Sequence, residues 1–393
     1  MEGDTVNFFR IIFLLVSFSC ESSIKKLHDN LFVVDMHNDV LLRVMSGYDI
    51  STFYEDRRSD IIKFKKGGVD LQAFSIFVDP AIEEENYFKY ANKMIGKLDS
   101  ICLNNPLKWS IPKTYQDIIL NNQKNIMSCL IGVEGGHVLN NDLNNIDILY
   151  KRGMRYLGIT WNNSNSLGTS SKDEVNKQDM YFKKGLTLFG RKVIKKCNQI
   201  GVMVDVSHVG EETFWDIINI SDKPVIASHS SVYSLCPNHR NLKDSQLKAI
   251  KSNGGVVFIN FFPGYIDSNY SHKSDSIDYV FETELNEILD IYGIKNDKYW
   301  YETGRFLESH KKQITPKVDM VIDHIVYVVN LIGPDHVGLG SDFDGVLNMP
   351  DKLEDVSKMP AITRGLVENG ISKKDIKKIL GGNFKRVFKE VSK

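Results

Sequence analysis

Short runs of apolar, mostly β-branched residues recur along the chain and alternate with segments of helical periodicity. Eight such runs lie at residues 32–38, 69–78, 126–134, 154–161, 202–208, 224–229, 256–261 and 337–342. Several of them contain long apolar stretches, as is typical of parallel strands that are covered on both faces. Strands that alternate with helices indicate parallel β/α units, and eight in series favour a closed barrel over an open doubly wound sheet.

The segments between the runs carry apolar residues three or four positions apart, as one face of a helix requires. Clear stripes of this kind occupy residues 186–200 and 318–332. A long polar and aromatic connection, residues 267–315, predicts a helical insertion before the eighth strand. Two further helical patterns, 353–368 and 373–391, are expected to pack against the outside of the barrel. The predicted fold is an α/β protein, a (β/α)8 TIM-like barrel with this insertion and C-terminal helices.

Composition excludes several classes of function. The 393 residues include 49 basic and 50 acidic side chains, a formal net charge of −1. Because nucleic-acid binding usually requires a basic face, no nucleic-acid partner is expected. The cysteines after residue 20 include no Cys-x-x-Cys pair, so neither a disulfide scaffold nor a zinc knuckle is predicted. The sequence also lacks a Gly-rich phosphate loop and a dinucleotide fingerprint.

The strongly apolar stretch at residues 8–20 is too short for a membrane-spanning helix, which needs about 20 residues. Its position indicates a signal peptide, and the alternative is a buried N-terminal helix. Ser-Phe-Ser-Cys20 resembles a bacterial lipoprotein cleavage site. We therefore expect residues 1–20 to be a signal peptide or lipoprotein leader and residues 21–393 to form a single barrel domain outside the cytoplasm. The sequence is compatible with a membrane tether through a lipid on Cys20 and with a homodimer.

Side chains that bind metals recur where the predicted strands end, which is where barrels of this type hold their active sites. They are His37, Asp39, Glu134, His208, His229 and Asp342. Each of these residues alone has an ordinary structural explanation, such as a hydrogen-bonded histidine or an Asp-Gly turn. Core packing does not explain histidines and carboxylates together at the ends of five strands. The pattern therefore predicts a metal site.

Imidazole and carboxylate ligands together suit zinc or a similar divalent ion. Two ions that share a carboxylate would need about this many ligands, and such a pair can activate a water and polarise a carbonyl. Asp35 and His137 are expected to support the ligands rather than bind metal. His239, His324 and His336 are interpreted as structural or surface residues, because they lie away from strand ends.

Beyond the strand ends, many short motifs resemble those of the membrane (renal) dipeptidases of the amidohydrolase superfamily, in the same order and over nearly all of the chain after the leader. The matching segments are residues 34–39, 67–72, 131–137, 155–157, 190, 201–208, 224–236, 240–241, 342–345, 353–357 and 382–383.

The resemblance implies a role for each of the matching residues. His37 and Asp39 would hold one zinc ion, His208 and His229 the other, with Glu134 bridging the two. Arg240 would bind the terminal carboxylate of the substrate, and Asp342 would assist the attacking water and later protonate the leaving amine. The implied activity is hydrolysis of dipeptides, including those with a C-terminal D-residue, outside the cytoplasm.

This sequence departs from the family pattern at Trp161. Many members carry a histidine here that polarises the scissile carbonyl. Either Asn162 or Asn163 substitutes for it, or the zinc ions alone polarise the carbonyl, and the sequence leaves both alternatives open. We place Trp161, Asn162 and Tyr233 among the substrate-binding residues. Cys236 aligns with a disulfide cysteine of animal members but has no evident partner in the sequence.

The sequence argues against two other functions. Lactonases and deaminases on the same barrel often use a carboxylated lysine as the metal bridge, whereas here Glu134 holds that position and no lysine ends a strand. An inactive binding protein would usually have lost some of the ligands, and this chain keeps all five. The sequence therefore favours a dipeptidase with two zinc ions per chain.

Overall fold

A computed structural model describes residues 22–80, 86–176, 184–294 and 297–392, and the expected leader lies outside these ranges. The strands are β1 (Val33–Asn38), β2 (Val69–Phe77), β3 (Trp109–Ser110), β4 (Met127–Glu134), β5 (Met154–Gly158), β6 (Met203–Asp205), β7 (Ile226–Ala227), β8 (Val256–Ile259) and β9 (Val337–Leu339).

Eight of these strands form a parallel barrel, as the sequence predicts. They pair in the order β1-β2-β4-β5-β6-β7-β8-β9. Just beyond β9 the chain turns onto β1 and closes the ring, because the Asp39 amide donates to the Phe343 carbonyl at 2.9 Å and the Asp342 amide to the His37 carbonyl at 3.2 Å. The additional strand β3, which the sequence analysis missed, pairs with the start of β4.

Helices surround the barrel. They span Val40–Met45, Ile61–Lys66, Tyr87–Asn104, Tyr115–Gln123, Asn144–Arg152, Ser171–Asn176, Leu188–Ile200, Glu211–Ile220, Asp244–Asn253, Pro263–Ile266, Tyr270–Val280, Glu282–Tyr292, Asp297–Lys311, Val318–Ile332, Pro360–Glu368, Lys373–Lys377 and Asn383–Val391. The predicted stripe is buried in the helix Leu188–Ile200, through Val193, Ile194 and Cys197. The predicted insertion before the last strand is confirmed as the helices between Pro263 and Lys311.

Two hydrophobic cores hold the barrel. The larger one lies between the strands and the surrounding helices and includes Ile131, Val193 and Ile322. The smaller one fills the barrel and includes Met36, Tyr156 and Phe258. Because strand side chains alternate between the two faces of the sheet, the same strands supply both cores.

The position expected for the last helix is wrong. The helix Asn383–Val391 does not pack against the outer wall: its Phe384, Phe388 and Val391 join the smaller core, beside the residues that begin the strands. Its apolar stripe therefore seals the end of the barrel opposite the strand ends. The earlier helix Pro360–Glu368 does lie outside, in the larger core with the helix Val318–Ile332.

Several strands end earlier than expected. The fourth predicted run, residues 154–161, gives a strand that ends at Gly158, and the run 202–208 gives one that ends at Asp205. In both cases most of the following residues are buried, and they carry the chain to the mouth of the barrel, where His208 lies. No helix within the described ranges is long and apolar enough to cross a bilayer.

Candidate metal centre

Three histidines and one glutamate meet at the mouth of the barrel. The Oε1 atom of Glu134, from the end of β4, lies 2.9 Å from His208 Nε2 and 3.4 Å from His229 Nε2. Its Oε2 atom lies 3.4 Å from His37 Nε2, and the Ser75 hydroxyl donates to it at 3.0 Å. The carboxylate of Glu134 thus lies between His37 on one side and His208 with His229 on the other.

Two aspartates extend this group on the β1 and β9 side. Asp39 Oδ2 lies 3.2 Å from His37 Nε2, and donor atoms of His37, Asp39 and Asp342 all fall within 4.8 Å of one another. Gly345 makes this approach possible, because a Cβ there would lie 2.2 Å from Asp39 Oδ2 and 2.4 Å from Asp342 Oδ1. The structure brings together all six strand-end residues that the sequence analysis singled out.

Each histidine is oriented by a partner on its other ring nitrogen. The Nδ1 atom of His208 lies 3.0 Å from the amide oxygen of Asn162, so it carries a proton and donates it. The Nδ1 atom of His229 lies 2.8 Å from the Ser228 hydroxyl, and that of His37 lies 3.3 Å from the Tyr156 hydroxyl. With protons on Nδ1, the three Nε2 lone pairs face the centre, which is the arrangement of metal-binding histidines.

Two buried aspartates accept hydrogen bonds from serines that adjoin the candidate ligands. Asp205 accepts the Ser228 hydroxyl at 2.6 Å and so fixes the group that orients His229. Asp35 accepts the Ser341 hydroxyl at 2.6 Å and the Ser341 amide at 2.8 Å, which positions the chain just before Asp342. Asp35 thus takes the supporting place that the sequence analysis expected, and Asp205 matches it on the opposite side of the barrel.

The electrostatics at the centre favour a bound cation. Burial lowers the pKa of His208 to about 3 and holds the pKa of His229 well below its usual range, so both rings are neutral. Their Nε2 atoms nevertheless lie only 2.9 Å apart. Burial opposes a charge on His37, but Asp39 and Glu134 hold its pKa well above the usual range. Positive charge is therefore favoured between these groups.

Several buried polar atoms of the described residues lack a hydrogen-bond partner, and two of them, His37 Nε2 and Asp39 Oδ1, lie in the candidate metal centre. Buried polar atoms are normally satisfied, and those that are not call for an unseen ion or water. Nitrogen and carboxylate donors at this spacing fit zinc or a similar divalent ion.

Asp342 occupies the rim of the centre in a constrained position. Its backbone adopts φ +67°, which is uncommon for a residue with a side chain and often marks functional sites. The Asn260 amide donates to Asp342 Oδ2 at 2.9 Å. Burial, with Asp39 and Glu134 nearby, raises the pKa of Asp342 to about 8 despite the opposing effect of His37. A carboxyl group in this environment can both hold and release a proton near neutral pH.

On the β6 and β7 side, the centre opens into a cavity of about 450 Å³ that is lined by His208, Arg240, Tyr233 and His239. Arg240 is only 3% exposed, and its guanidinium donates to the His229 carbonyl at 3.2 Å while its Nε has no partner among the described residues. The side chain of Tyr233 is 37% exposed at the cavity rim. Arg240 therefore presents a buried cation to any group bound beside His208.

Trp161, Asn162 and Asn163 lie where many family members carry a histidine, and each of them has different contacts. Trp161 packs on Phe77, with ring centroids 4.7 Å apart, and lies 6.4 Å from the His208 ring. Asn162 orients His208 through its amide oxygen, and the Asn163 amide donates to the Ser164 carbonyl. Both asparagine side chains thus have protein contacts of their own, and the structure does not show either of them taking the place of an imidazole.

The remaining histidines differ in position. His137 bonds to the Val78 carbonyl at 2.8 Å and so steadies the loop after Glu134. His324 and His336 are structural, as expected, because each bonds to backbone groups away from the centre. His239 differs from the expectation in that it lines the Arg240 cavity, where its Nδ1 lies 3.0 Å from the Ser171 hydroxyl.

Sequence reasoning missed the residues that orient the site. They are Ser75, Tyr156, Ser228, Asn260 and Ser341. Asn260 directly follows an apolar run, so its strand-end position was a usable signal. Tyr156 gave no such signal: it lies within β5, and its ring fits only because position 132 is glycine, where a Cβ would come within 1.8 Å of the ring.

Comparison with known proteins agrees with this geometry. The family model of the membrane dipeptidases (peptidase family M19) matches residues 21–393. A dipeptidase of Claviceps purpurea, tcpJ, is 29% identical over 375 residues, which cover 91% of this chain and 76% of that protein. An uncharacterised dipeptidase of Schizosaccharomyces pombe, C965.12, is 29% identical over 382 residues, covering 91% of this chain and 80% of that protein.

Solved structures share the fold. The probable dipeptidase PvdM of Pseudomonas aeruginosa superposes with a TM-score of 0.78 at 23% identity and covers 94% of this chain and 98% of its own. A metallopeptidase of Rhodobacter sphaeroides, solved with a phosphinate mimic of the dipeptide L-Ala-D-Ala, gives 0.73 at 22% identity, covering 92% and 99%. With the family match over nearly the whole sequence, we conclude that this chain belongs to the membrane dipeptidase family and is a hydrolase of the metallopeptidase type.

Proposed function

We propose that this metallo-dipeptidase holds two zinc ions, with His37 and Asp39 as ligands of one ion, His208 and His229 as ligands of the other, and Glu134 shared. The observation that carries the proposal is that three Nε2 atoms converge on one carboxylate while their Nδ1 protons are directed away from it. When bound, the ions would supply an activated water and polarise the scissile carbonyl.

Substrate binding and proton transfer would be carried out by Arg240 and Asp342, with Asn260 positioning Asp342. Arg240 would bind the free carboxylate of the substrate, since a buried guanidinium can pair both oxygens of such a group in a planar fork. Asp342 would take a proton from the attacking water and give it to the leaving amine. Asn260 would keep the Asp342 carboxyl aimed at the centre through their 2.9 Å hydrogen bond.

The position of Arg240 supports short substrates. Arg240 donates to the backbone carbonyl of the proposed ligand His229 and lines the same cavity as His208, so a carboxylate bound to Arg240 would lie close to the metal centre. A longer peptide would place its carboxylate elsewhere. The relative from Rhodobacter sphaeroides was solved with a mimic of L-Ala-D-Ala, and we propose that this chain also accepts a D-residue at the C-terminal position.

We also propose that the enzyme acts outside the cytoplasm, which rests on the apolar segment at residues 8–20. The leader and a lipid on Cys20 lie outside the described residues, and a homodimer is likewise a prediction. Mass spectrometry of the mature N-terminus would test export and lipidation, and sedimentation equilibrium would test the dimer.

The test of the proposed function is hydrolysis of a panel of free dipeptides by the purified protein, before and after chelation. We expect activity that chelation removes and zinc restores. Glu134→Gln should lower kcat/KM by at least about a hundredfold, because loss of a shared ligand exceeds the 10–100-fold effect of altering a group behind a ligand. Activity on lactones or nucleobase amines but on no dipeptide would contradict the proposal.

Arg240 can be tested separately. Arg240→Lys should strongly lower kcat/KM for a free dipeptide, because an ammonium cannot reproduce the two-point contact. The C-terminally amidated dipeptide should start slow and lose little more. Equal losses on both substrates would mean that Arg240 supports the fold or the ligands instead.

A further inference from the structure

Ser230, which directly follows the proposed ligand His229, has a buried hydroxyl without a partner. The residue is 1% exposed, and its Oγ makes no hydrogen bond within the described part of the chain. The neighbouring Ser231, in contrast, donates its hydroxyl to the Asn260 carbonyl at 3.1 Å. Buried hydroxyls are normally satisfied, so the one of Ser230 calls for a group that the protein itself does not supply.

Ser230 lines the cavity of about 450 Å³ that also contains Arg240. Arg240 reaches the same stretch of backbone, because its guanidinium donates to the His229 carbonyl, which belongs to the peptide group that joins His229 to Ser230. The Ser230 amide donates to the Phe258 carbonyl at 2.9 Å and so fixes this backbone. The two side chains therefore face the cavity from adjoining positions.

Arg240 also carries a donor that no described residue uses, its Nε–H. The guanidinium contacts the His229 carbonyl and lies 5.5 Å from the centroid of the Tyr265 ring. Burial raises the pKa of the Tyr265 hydroxyl although Arg240 opposes the shift, so both contacts are neutral groups. The buried charge and the two unused donors, on Arg240 and Ser230, together favour an anion.

The other charged side chains that line the cavity are Glu174, Glu211 and Lys243, and each has a protein partner. Lys243 Nζ lies 2.6 Å from Glu211 Oε2. Glu174 accepts the Glu211 amide at the start of the helix Glu211–Ile220, where a negative charge is favoured. An anion that enters the cavity is therefore expected to bind at Arg240.

We propose that the Ser230 hydroxyl is a second donor to the C-terminal carboxylate of the substrate, so that Ser230 and Arg240 together select free dipeptides over blocked ones. The inference rests on the proposed function, in which Arg240 binds that carboxylate. A carboxylate has about four lone-pair sites and the guanidinium fork fills two, so an oxygen can also accept a hydroxyl. A C-terminal amide is uncharged, so its hydrogen bond to Ser230 is weaker.

The first test compares the kinetics of the zinc-loaded enzyme on Ala-Ala and on Ala-Ala amide. Ser230→Ala should raise KM for Ala-Ala by about tenfold with kcat little changed, because it removes a hydrogen bond to a charged group that is made throughout the reaction. The change for the amide should be smaller. Ser128→Ala is the matched control: Ser128 is also 1% exposed, but it lies near the start of β4 and should leave both KM values unchanged.

Urea unfolding separates substrate binding from a structural role. Ser230→Ala removes a hydroxyl that has no partner in the free protein, so the urea midpoint should stay unchanged or rise. Ser128→Ala should lower the midpoint, because the Asn121 amide donates to the Ser128 hydroxyl at 3.1 Å and would lose its partner. A fall in Ser230→Ala as large as that in Ser128→Ala would mean that the hydroxyl serves the fold, and would overturn the inference.

A double variant tests whether the two residues contact the same group. If both bind one carboxylate, Ser230→Ala should raise KM less in the Arg240→Lys background than in the unaltered enzyme. Equal effects in both backgrounds would place the hydroxyl on another part of the substrate and overturn the inference.

The remaining outcomes separate this inference from the proposed function. An unchanged KM for Ala-Ala in Ser230→Ala, or equal rises for Ala-Ala and its amide, overturns this inference and leaves the proposed function standing. If the unaltered enzyme hydrolyses no dipeptide, the proposed function is overturned and this inference with it.

Discussion

The two ends of this barrel are built from the same eight strands and have opposite character. At the mouth, His208, Asp342 and Asp344 all adopt positive φ, and buried donor atoms lack protein partners. At the opposite end, Phe384 and Phe388 lie almost fully buried against the residues that begin the strands. Strain and unpaired polar atoms destabilise a fold, whereas apolar burial stabilises it. The mouth, where the candidate metal centre lies, therefore lowers the stability of the fold, and apolar burial at the sealed end compensates for this loss.

This comparison predicts that substitutions at the two ends affect different quantities. A change at the sealed end should alter the free energy of unfolding and leave the activity of the folded enzyme intact. A change behind a ligand at the mouth should alter activity or metal affinity with a smaller effect on stability. Each of the following predictions tests one side of this separation.

The largest expected effect is at the sealed end. Phe388→Ala removes a ring that is 1% exposed and packs 5.4 Å from the Phe384 ring, so we expect a loss of about 3–5 kcal/mol in the free energy of unfolding. Urea unfolding measures it, with the 81% exposed Leu188→Ala as a control that should change stability by less than about 0.5 kcal/mol. A loss of kcat/KM per folded molecule as large as the loss of stability would contradict the separation.

A structural histidine of the helix Val318–Ile332, His324, gives the next prediction. The Nδ1 atom of His324 accepts the Val232 amide at 3.0 Å, and burial lowers its pKa to about 4. Because the unfolded chain binds this proton below about pH 6.5, the stabilising contribution is full above that pH and is lost as the pH falls toward 4. Between pH 7 and pH 4.5 it should amount to about 2 kcal/mol.

Urea unfolding of the unaltered protein and of His324→Gln at both pH values would measure this contribution. The variant should lose less stability on acidification, since glutamine can accept the same amide and does not titrate. An unchanged pH dependence in the variant would mean that other buried histidines, such as His28, dominate the acid response.

The smallest expected effect lies behind a ligand. Ser228→Ala removes the hydroxyl that joins His229 Nδ1 to Asp205, so the ring is less well oriented. We expect metal affinity to fall about tenfold, which corresponds to about 1.4 kcal/mol. Ser252→Ala, whose hydroxyl only bonds within a helix at the surface, is the control. Unaltered metal affinity in Ser228→Ala would mean that packing alone positions His229.

The sequence predicted the mouth better than it predicted the sealed end. Candidate ligands such as His37 and Asp39 can be found from the sequence, because few residue types bind metals and apolar runs show where strands end. The helix Asn383–Val391 was predicted as a helix but misplaced, because an apolar stripe shows that a face is buried and not which surface covers it. The role of Tyr156 was not predicted, because it depends on a glycine in a neighbouring strand.

The central claim is that His37, Asp39, Glu134, His208 and His229 form one two-ion centre, and metal stoichiometry tests it most directly. Protein stripped by chelation and dialysed against zinc should hold close to two ions per chain by elemental analysis. His37→Ala and His208→Ala should each lower this number toward one, because they remove ligands of different ions. A zinc content near zero, or one that neither substitution changes, would contradict the account.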